Sequence, residues 1–278
     1  MKKFFALLLA MVMALSLVAC GEKNTDDKNG GDAEKTELVL GTSADYAPFE
    51  FMYPDPDPNK KGEMVYGGID VSAAKYIAED MGLTLKVENM GFDYLLTSLD
   101  KGDFDIVMAA MEPTPERLEN ADFSDPYYTD VPPAILVKAD KAEQYKTLAD
   151  FAGKSVGAQT ATTKLDMVNT IEGVNAVALQ SVLDLVNELV YDKVDAILVD
   201  GGVAAEYAAS NPDLAVAAAS SELGAATPYS VAVAKGDPKG LLPGINAAIA
   251  KMNEANMMET FIADADKLSN VAVSVTAE

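Results

Sequence analysis

The chain has 278 residues, 49% of them hydrophobic, enough to bury more than one compact unit. Its 21 Lys and Arg face 44 Asp and Glu, a net charge of −23 that repels phosphate backbones and anionic headgroups, so no nucleic-acid partner is expected. Histidine is absent and cysteine occurs once, which excludes imidazole bases, His triads, an internal disulfide and nearly all zinc sites. No metal and no cofactor is therefore expected.

Lys2 and Lys3 open the chain, an apolar run follows from Phe4 to Val18, and Leu17-Val18-Ala19-Cys20 ends it. The run is short for a membrane span, and small residues precede a cleavage point. This resembles the bacterial lipoprotein signal, with residues 1–19 removed and Cys20 lipidated. Losing two lysines leaves the mature chain more acidic still, so membrane attachment would rest on the lipid. Residues 21–35, GEKNTDDKNGGDAEK, lack any apolar stripe and are expected to form a flexible tether, with residues 20–36 as anchor and linker.

Short apolar runs then alternate with helical patterns. Residues 38–40, 83–87 and 104–108 are predicted strands, and 72–81 and 94–101 helices stopped by Gly82 and Gly102. The Pro/Asp-rich stretch 54–61 is a loop. The order βαβαβ implies a parallel sheet flanked by helices. The rhythm repeats, with strands at 134–137, 155–158, 176–179, 194–199 and 229–234 and helices at 162–171, 181–191 and 203–209. Residues 240–263 are mostly helix. Two α/β units fit this length, with crossings at 127–131 and 225–229.

Three segments could carry a site. In Ala109-Ala110-Met111-Glu112-Pro113-Thr114-Pro115-Glu116-Arg117, Thr114 caps a helix with Pro115 first, which puts Arg117 in the opening turn. Arg117 is the only arginine of the chain, and its planar fork suits a carboxylate; the plainer role is a surface salt bridge to Glu116 or Asp122. Gln159-Thr160-Ala161-Thr162-Thr163 leads from a strand into a helix N-terminus that could face an anion. Asp200 follows the apolar strand at 194–199, where it could accept from an ammonium or simply cap the next helix. Tyr46 and Phe92, in loops after strands, could form walls. Phe49, Phe51 and the Met257-Met258 pair are expected in the core.

Taken together, these segments resemble a family 3 solute-binding protein, the receptor of polar amino acid ABC importers. The likeness rests on Asp45-Tyr46-Ala47-Pro48-Phe49-Glu50-Phe51, Gly68-Ile69-Asp70-Val71, Pro115-Glu116-Arg117, Phe123-Ser124-Asp125-Pro126-Tyr127-Tyr128, and Val194-Asp195-Ala196-Ile197 leading to Asp200. It implies an α/β, two-lobe periplasmic-binding-protein-like (type II) fold with two hinge strands and a ligand cleft. Lobe 1 would be residues 37–129 and 228–278, and lobe 2 residues 130–227. By position, Arg117 would hold an α-carboxylate, helped by Thr162 or Thr163 and the backbone near Glu112. Asp200 would hold the α-ammonium, and Tyr46 and Phe92 would flank the side chain, with Ala110 and Ser43 also at ligand-contacting positions. The implied partners are a small amino acid and an ABC permease and ATPase, the protein acting as a lipid-anchored monomer at the outer face of the cell membrane.

Ser43 replaces a frequent acid, Glu112 a small hydroxyl residue and Ala161 a frequent glycine, while Val199 sits where some members place a polar residue. Glu112 and Asp45 could recognise a cationic side chain; a neutral polar ligand fits as well if Glu112 turns to solvent, and an acidic one would lack a second arginine. Two rival classes share this fold: a cyclohexadienyl dehydratase-like enzyme, and a solute sensor or adhesin that feeds no transporter.

Overall fold

Strand alternation builds the first sheet. In β1 (Glu37–Thr42), Leu38 and Leu40 are fully buried on one face and Val39 packs with Phe104 on the other. Gly41 carries no side chain because the Phe104 ring lies 2.3 Å from where a Cβ would stand. These strands belong to a computed structural model that describes residues 36–276. The leader, Cys20 and nearly all of the tether lie outside the described residues.

After β1, β2 (Asp45–Tyr46), β3 (Glu50–Pro54) and β4 (Met64–Gly67) form a small antiparallel sheet that the apolar pattern did not reveal. Pro54 is not wholly outside it: it ends β3 opposite Met64, at a strand terminus where proline is tolerated. Gly68 opens α1 (Ile69–Asp80) with φ 118° and with the Phe49 carbonyl oxygen 2.1 Å from where a Cβ would stand, so only glycine fits. β5 (Thr84–Asn89) follows, then α2 (Leu95–Lys101), which ends at left-handed Gly102. β6 (Ile106–Val107), α3 (Pro115–Asn120) and β7 (Ala121–Tyr128) complete this stretch.

The chain then enters a second sheet. Its elements are β8 (Ala134–Lys138), β9 (Ser155–Gln159), α4 (Thr163–Thr170), β10 (Asn175–Leu179), α5 (Val182–Val190), β11 (Ala196–Val199), α6 (Gly201–Ser210) and β12 (Leu214–Val216). β13 (Tyr229–Ala234) returns to the first sheet, followed by α7 (Leu242–Glu254) and α8 (Met257–Thr276). Residues 240–263 are mostly helix as expected, in two helices broken at Asn256 with φ 51°.

The strand orders are β5-β1-β6-β13-β7 and β10-β9-β11-β8-β12. This is the two-lobe α/β architecture expected, but neither sheet is purely parallel. β1, β5 and β6 run parallel, as do β9, β10 and β11, whereas β13 and β7 in the first sheet and β8 and β12 in the second add antiparallel pairs. The exchange strands cause this, because a chain that leaves one sheet and returns need not cross over a helix to its neighbour.

Residue alternation also sorts the cores. Ile135, Val137, Ala196 and Leu198 pack with Val156, Phe151 and Val168 on one side of the second sheet. Leu136, Ile197 and Val199 turn to the other side, into a cluster continuous with the Leu38, Leu40 and Ile77 face of the first sheet. Phe49 and Phe51 lie in that cluster as expected, and Met257 and Met258 pack against it.

Candidate functional site

Parallel strands deliver the polar residues to one place. The loops after β1, β5, β6, β9 and β11 all leave the C-terminal ends of parallel strands, where open α/β sheets gather ligand groups. From them Tyr46, Phe92, Ala110, Glu112, Arg117, Thr162, Thr163 and Asp200 converge on one small, partly open space of about 20 Å³, room for a single water. Ser43 does not reach it; it is buried behind, its hydroxyl 3.3 Å from an oxygen of Asp45. Beside this space the cleft widens to about 570 Å³, over Phe92, Met111, Thr114 and Arg117.

Asp200 occupies the N-cap position of α6 without capping it. Its side chain turns inward instead. The Tyr46 hydroxyl donates to Asp200 Oδ2 at 2.6 Å, and the Asp200 backbone N–H donates to the Tyr46 oxygen at 3.0 Å. Burial first, and the Asp200 charge next, push the Tyr46 hydroxyl well above its ordinary value, so it remains a donor.

Arg117 forms no ion pair with Glu116 or Asp122, the latter being held by Lys235 at 2.8 Å. Thr114 caps α3 by accepting from the Arg117 N–H, as expected from the Thr-Pro pair. The guanidinium donates to the carbonyl of Glu112 at 2.9 Å and to that of Ala161 at 3.1 Å, so it touches loops of both sheets. Its Cζ lies 5.2 Å from the centre of the Phe92 ring, within cation–π range. Burial lowers its pKa, but a guanidinium stays charged at neutral pH.

Thr162 caps α4, accepting from the Leu165 N–H and donating to the Gln159 carbonyl at 2.6 Å. Thr163 donates to Glu112 Oε2. Ala161, which replaces the frequent glycine, has φ 62°, and Ala110 has φ 45°; both backbones are left-handed at the cleft wall. The glycine preference before the threonines therefore has a conformational cause. Asp70 Oδ2 accepts the Ala110 N–H at 2.7 Å and holds that strained loop in place.

Four further residues line the space and were not singled out from sequence: Ala109, Glu50, Gln159 and Lys164. Glu50 lies against Asp70, and its carboxyl is pushed well above the ordinary range by burial and then by that neighbour. Burial raises Asp70 as well, to about 6. Lys164 is the most consequential. Its ammonium, with the side chain 6% exposed, sits 2.5 Å from Asp200 Oδ1 and 2.9 Å from Glu112 Oε1. Burial pulls its pKa down, but the two carboxylates more than offset this and hold it above the ordinary lysine value. A sequence signal existed: a lysine in the first turn of a helix opposes the helix dipole and needs a compensating anion. Among the described residues no group of acidic or thiol side chains could hold a metal, and no helix is long and apolar enough to cross a membrane.

Known proteins are similar to this chain in sequence and fold. The arginine-binding extracellular protein ArtP of Bacillus subtilis is 36% identical over 217 residues, 77% of this chain and 79% of that protein. The L-cystine-binding protein TcyJ of Escherichia coli is 28% identical over 252 residues, 89% of this chain and 90% of that protein. The crystal structure of the amino acid ABC transporter substrate-binding protein AbpA from Streptococcus pneumoniae, bound to L-arginine, superposes with a TM-score of 0.76 at 30% identity, over 84% of this chain and 96% of that one. With residues 38–263 matching the family's sequence profile, the chain belongs to the bacterial extracellular solute-binding proteins, family 3.

Proposed function

We propose that this protein binds a small polar or cationic amino acid between its two lobes and delivers it to an ABC importer at the outer face of the cell membrane. The observation that carries the reading is the convergence of Arg117 and Asp200 on one buried space from loops of different sheets. Arg117 takes the α-carboxylate, with the Thr162/Thr163 helix end beside it; Asp200 takes the α-ammonium; Tyr46 and Phe92 flank the side chain, with Ala110 and Glu112 at the wall and Ser43 supporting it from behind.

The lobes are residues 37–129 with 228–278 and residues 130–227, hinged at 127–131 and 225–229. A space of about 20 Å³ admits no amino acid, so ligand enters when the lobes part. Arg117 lies on one lobe and Asp200 on the other. Neither lobe alone satisfies both charges of a zwitterion, so ligand favours the closed form and shifts the population toward it. The importer's permease would then meet a closed, loaded monomer.

The membrane anchor of this reading is a lipid on Cys20. Replacing Cys20→Ser would release the protein into the medium, and a variant that stayed membrane-bound would contradict the anchor.

The reading is one of binding without chemistry, so incubation with arogenate or prephenate should leave both unchanged. A thermal-shift screen of the common amino acids is the direct test, since a ligand at 100 times its Kd adds about 2.7 kcal/mol of stability. No shift with any amino acid would refute it.

A further inference from the structure

We propose that Lys164 sets the class of ligand: by pairing with both cleft carboxylates it makes the site select net-neutral amino acids over those with cationic side chains. This rests on the amino-acid-binding reading above and narrows it.

Every acid lining the small space, and Asp45 next to Tyr46, is already committed or neutralised. Glu112 gives one oxygen to the Thr163 hydroxyl and the other to the Lys164 ammonium. Asp200 gives one to Tyr46 and the other to Lys164. Asp45 accepts the Val182 N–H at 3.0 Å and the Ser43 hydroxyl at 3.3 Å. Glu50, the remaining acid on the wall, is driven toward its neutral form by burial beside Asp70. Position 43, where an acid could stand, holds serine.

The lining cations are Arg117 and Lys164, and the lining acids other than Glu50 are Glu112 and Asp200. The four balance. A zwitterion with a neutral side chain keeps that balance, whereas a guanidinium or second ammonium adds an uncompensated charge in a desolvated space beside an existing ammonium.

Lys164 does not simply leave as the cleft opens. It and Asp200 both belong to the second-sheet side, so their 2.5 Å contact survives opening, while the contact with Glu112 spans the two sides and breaks. On closure around a ligand the ammonium remains at the wall.

The experiment screens the twenty common amino acids against the wild-type protein and then measures the strongest neutral ligand and L-arginine by calorimetry. Wild type should bind the neutral ligand at least tenfold more tightly than L-arginine, and Lys164→Gln should shift that ratio at least tenfold toward L-arginine by freeing Glu112. The double variant Lys164→Gln/Glu112→Gln, which removes one charge of each sign, should not gain L-arginine. Tightest binding of L-arginine or L-lysine by wild type overturns the role of Lys164 while leaving the binding function intact, and it does so even if the variants fail to fold. Binding of no amino acid overturns both.

Discussion

The Tyr46 hydroxyl and the Asp200 carboxylate, 154 residues apart in sequence, meet at 2.6 Å across the cleft. The contact joins a β2 residue on one side of the cleft to the loop after β11 on the other, and both groups are buried. Lys164 links it to Glu112, so Tyr46, Asp200, Lys164 and Glu112 form one short polar row across the cleft.

Removing either member should loosen that closure. Tyr46→Phe leaves an Asp200 oxygen without its donor and should destabilise the protein by about 1–3 kcal/mol. Asp200→Asn takes a charge from Lys164 and should cost about 3 kcal/mol, the low end for a broken buried pair, because Glu112 still holds the ammonium. Urea unfolding of both variants and of the double variant measures this. The double variant should lose clearly less than the two single losses added, and strict additivity would show that the contact is not energetically shared.

Arg117 should be irreplaceable for ligand binding. Arg117→Ala should nearly abolish it, and Arg117→Lys should weaken it by about 2 kcal/mol or more, since an ammonium cannot make the bidentate grip. Calorimetry with the strongest ligand checks this; wild-type affinity in Arg117→Lys would remove the guanidinium from the clamp.

Acidity should affect stability through Asp70. Its pKa in the folded protein, about 6, stands above the ordinary 3.8 because of burial, so between those values the folded state binds more protons than the unfolded one. Stability from this group is therefore full below about pH 4 and is lost as pH rises toward and through 6, with Glu50 extending the fall higher. Asp70→Asn should flatten the decline by an amount on the order of 3 kcal/mol. Denaturant midpoints of wild type and variant from pH 4 to 7 give the difference, and parallel curves would contradict it.

The left-handed alanine at the cleft should be a site of gain. Ala161 holds φ 62°, which glycine adopts without strain, so Ala161→Gly should stabilise by up to about 1 kcal/mol after the extra entropy of glycine is subtracted. A lowered melting temperature would show that the alanine methyl contributes packing that outweighs the strain.

Sequence by itself determined most of the elements and their order, because local rules govern them: the apolar runs of β1 and β11, Thr114-Pro115 at the start of α3, Gly102 at the end of α2. It also pointed to Arg117, Asp200 and the paired threonines, residue types whose chemistry stands out beside strand ends. Tertiary structure alone decided the rest. The β2–β4 sheet and the mixed strand directions depend on partners distant in the chain. So does the role of Lys164, whose place in the first turn of its helix calls for an anion without naming one. Only the approach of Glu112 from one sheet and Asp200 from the other turns it into a buried counter-ion, since a charge pair is a property of distance in space and not of position in the chain.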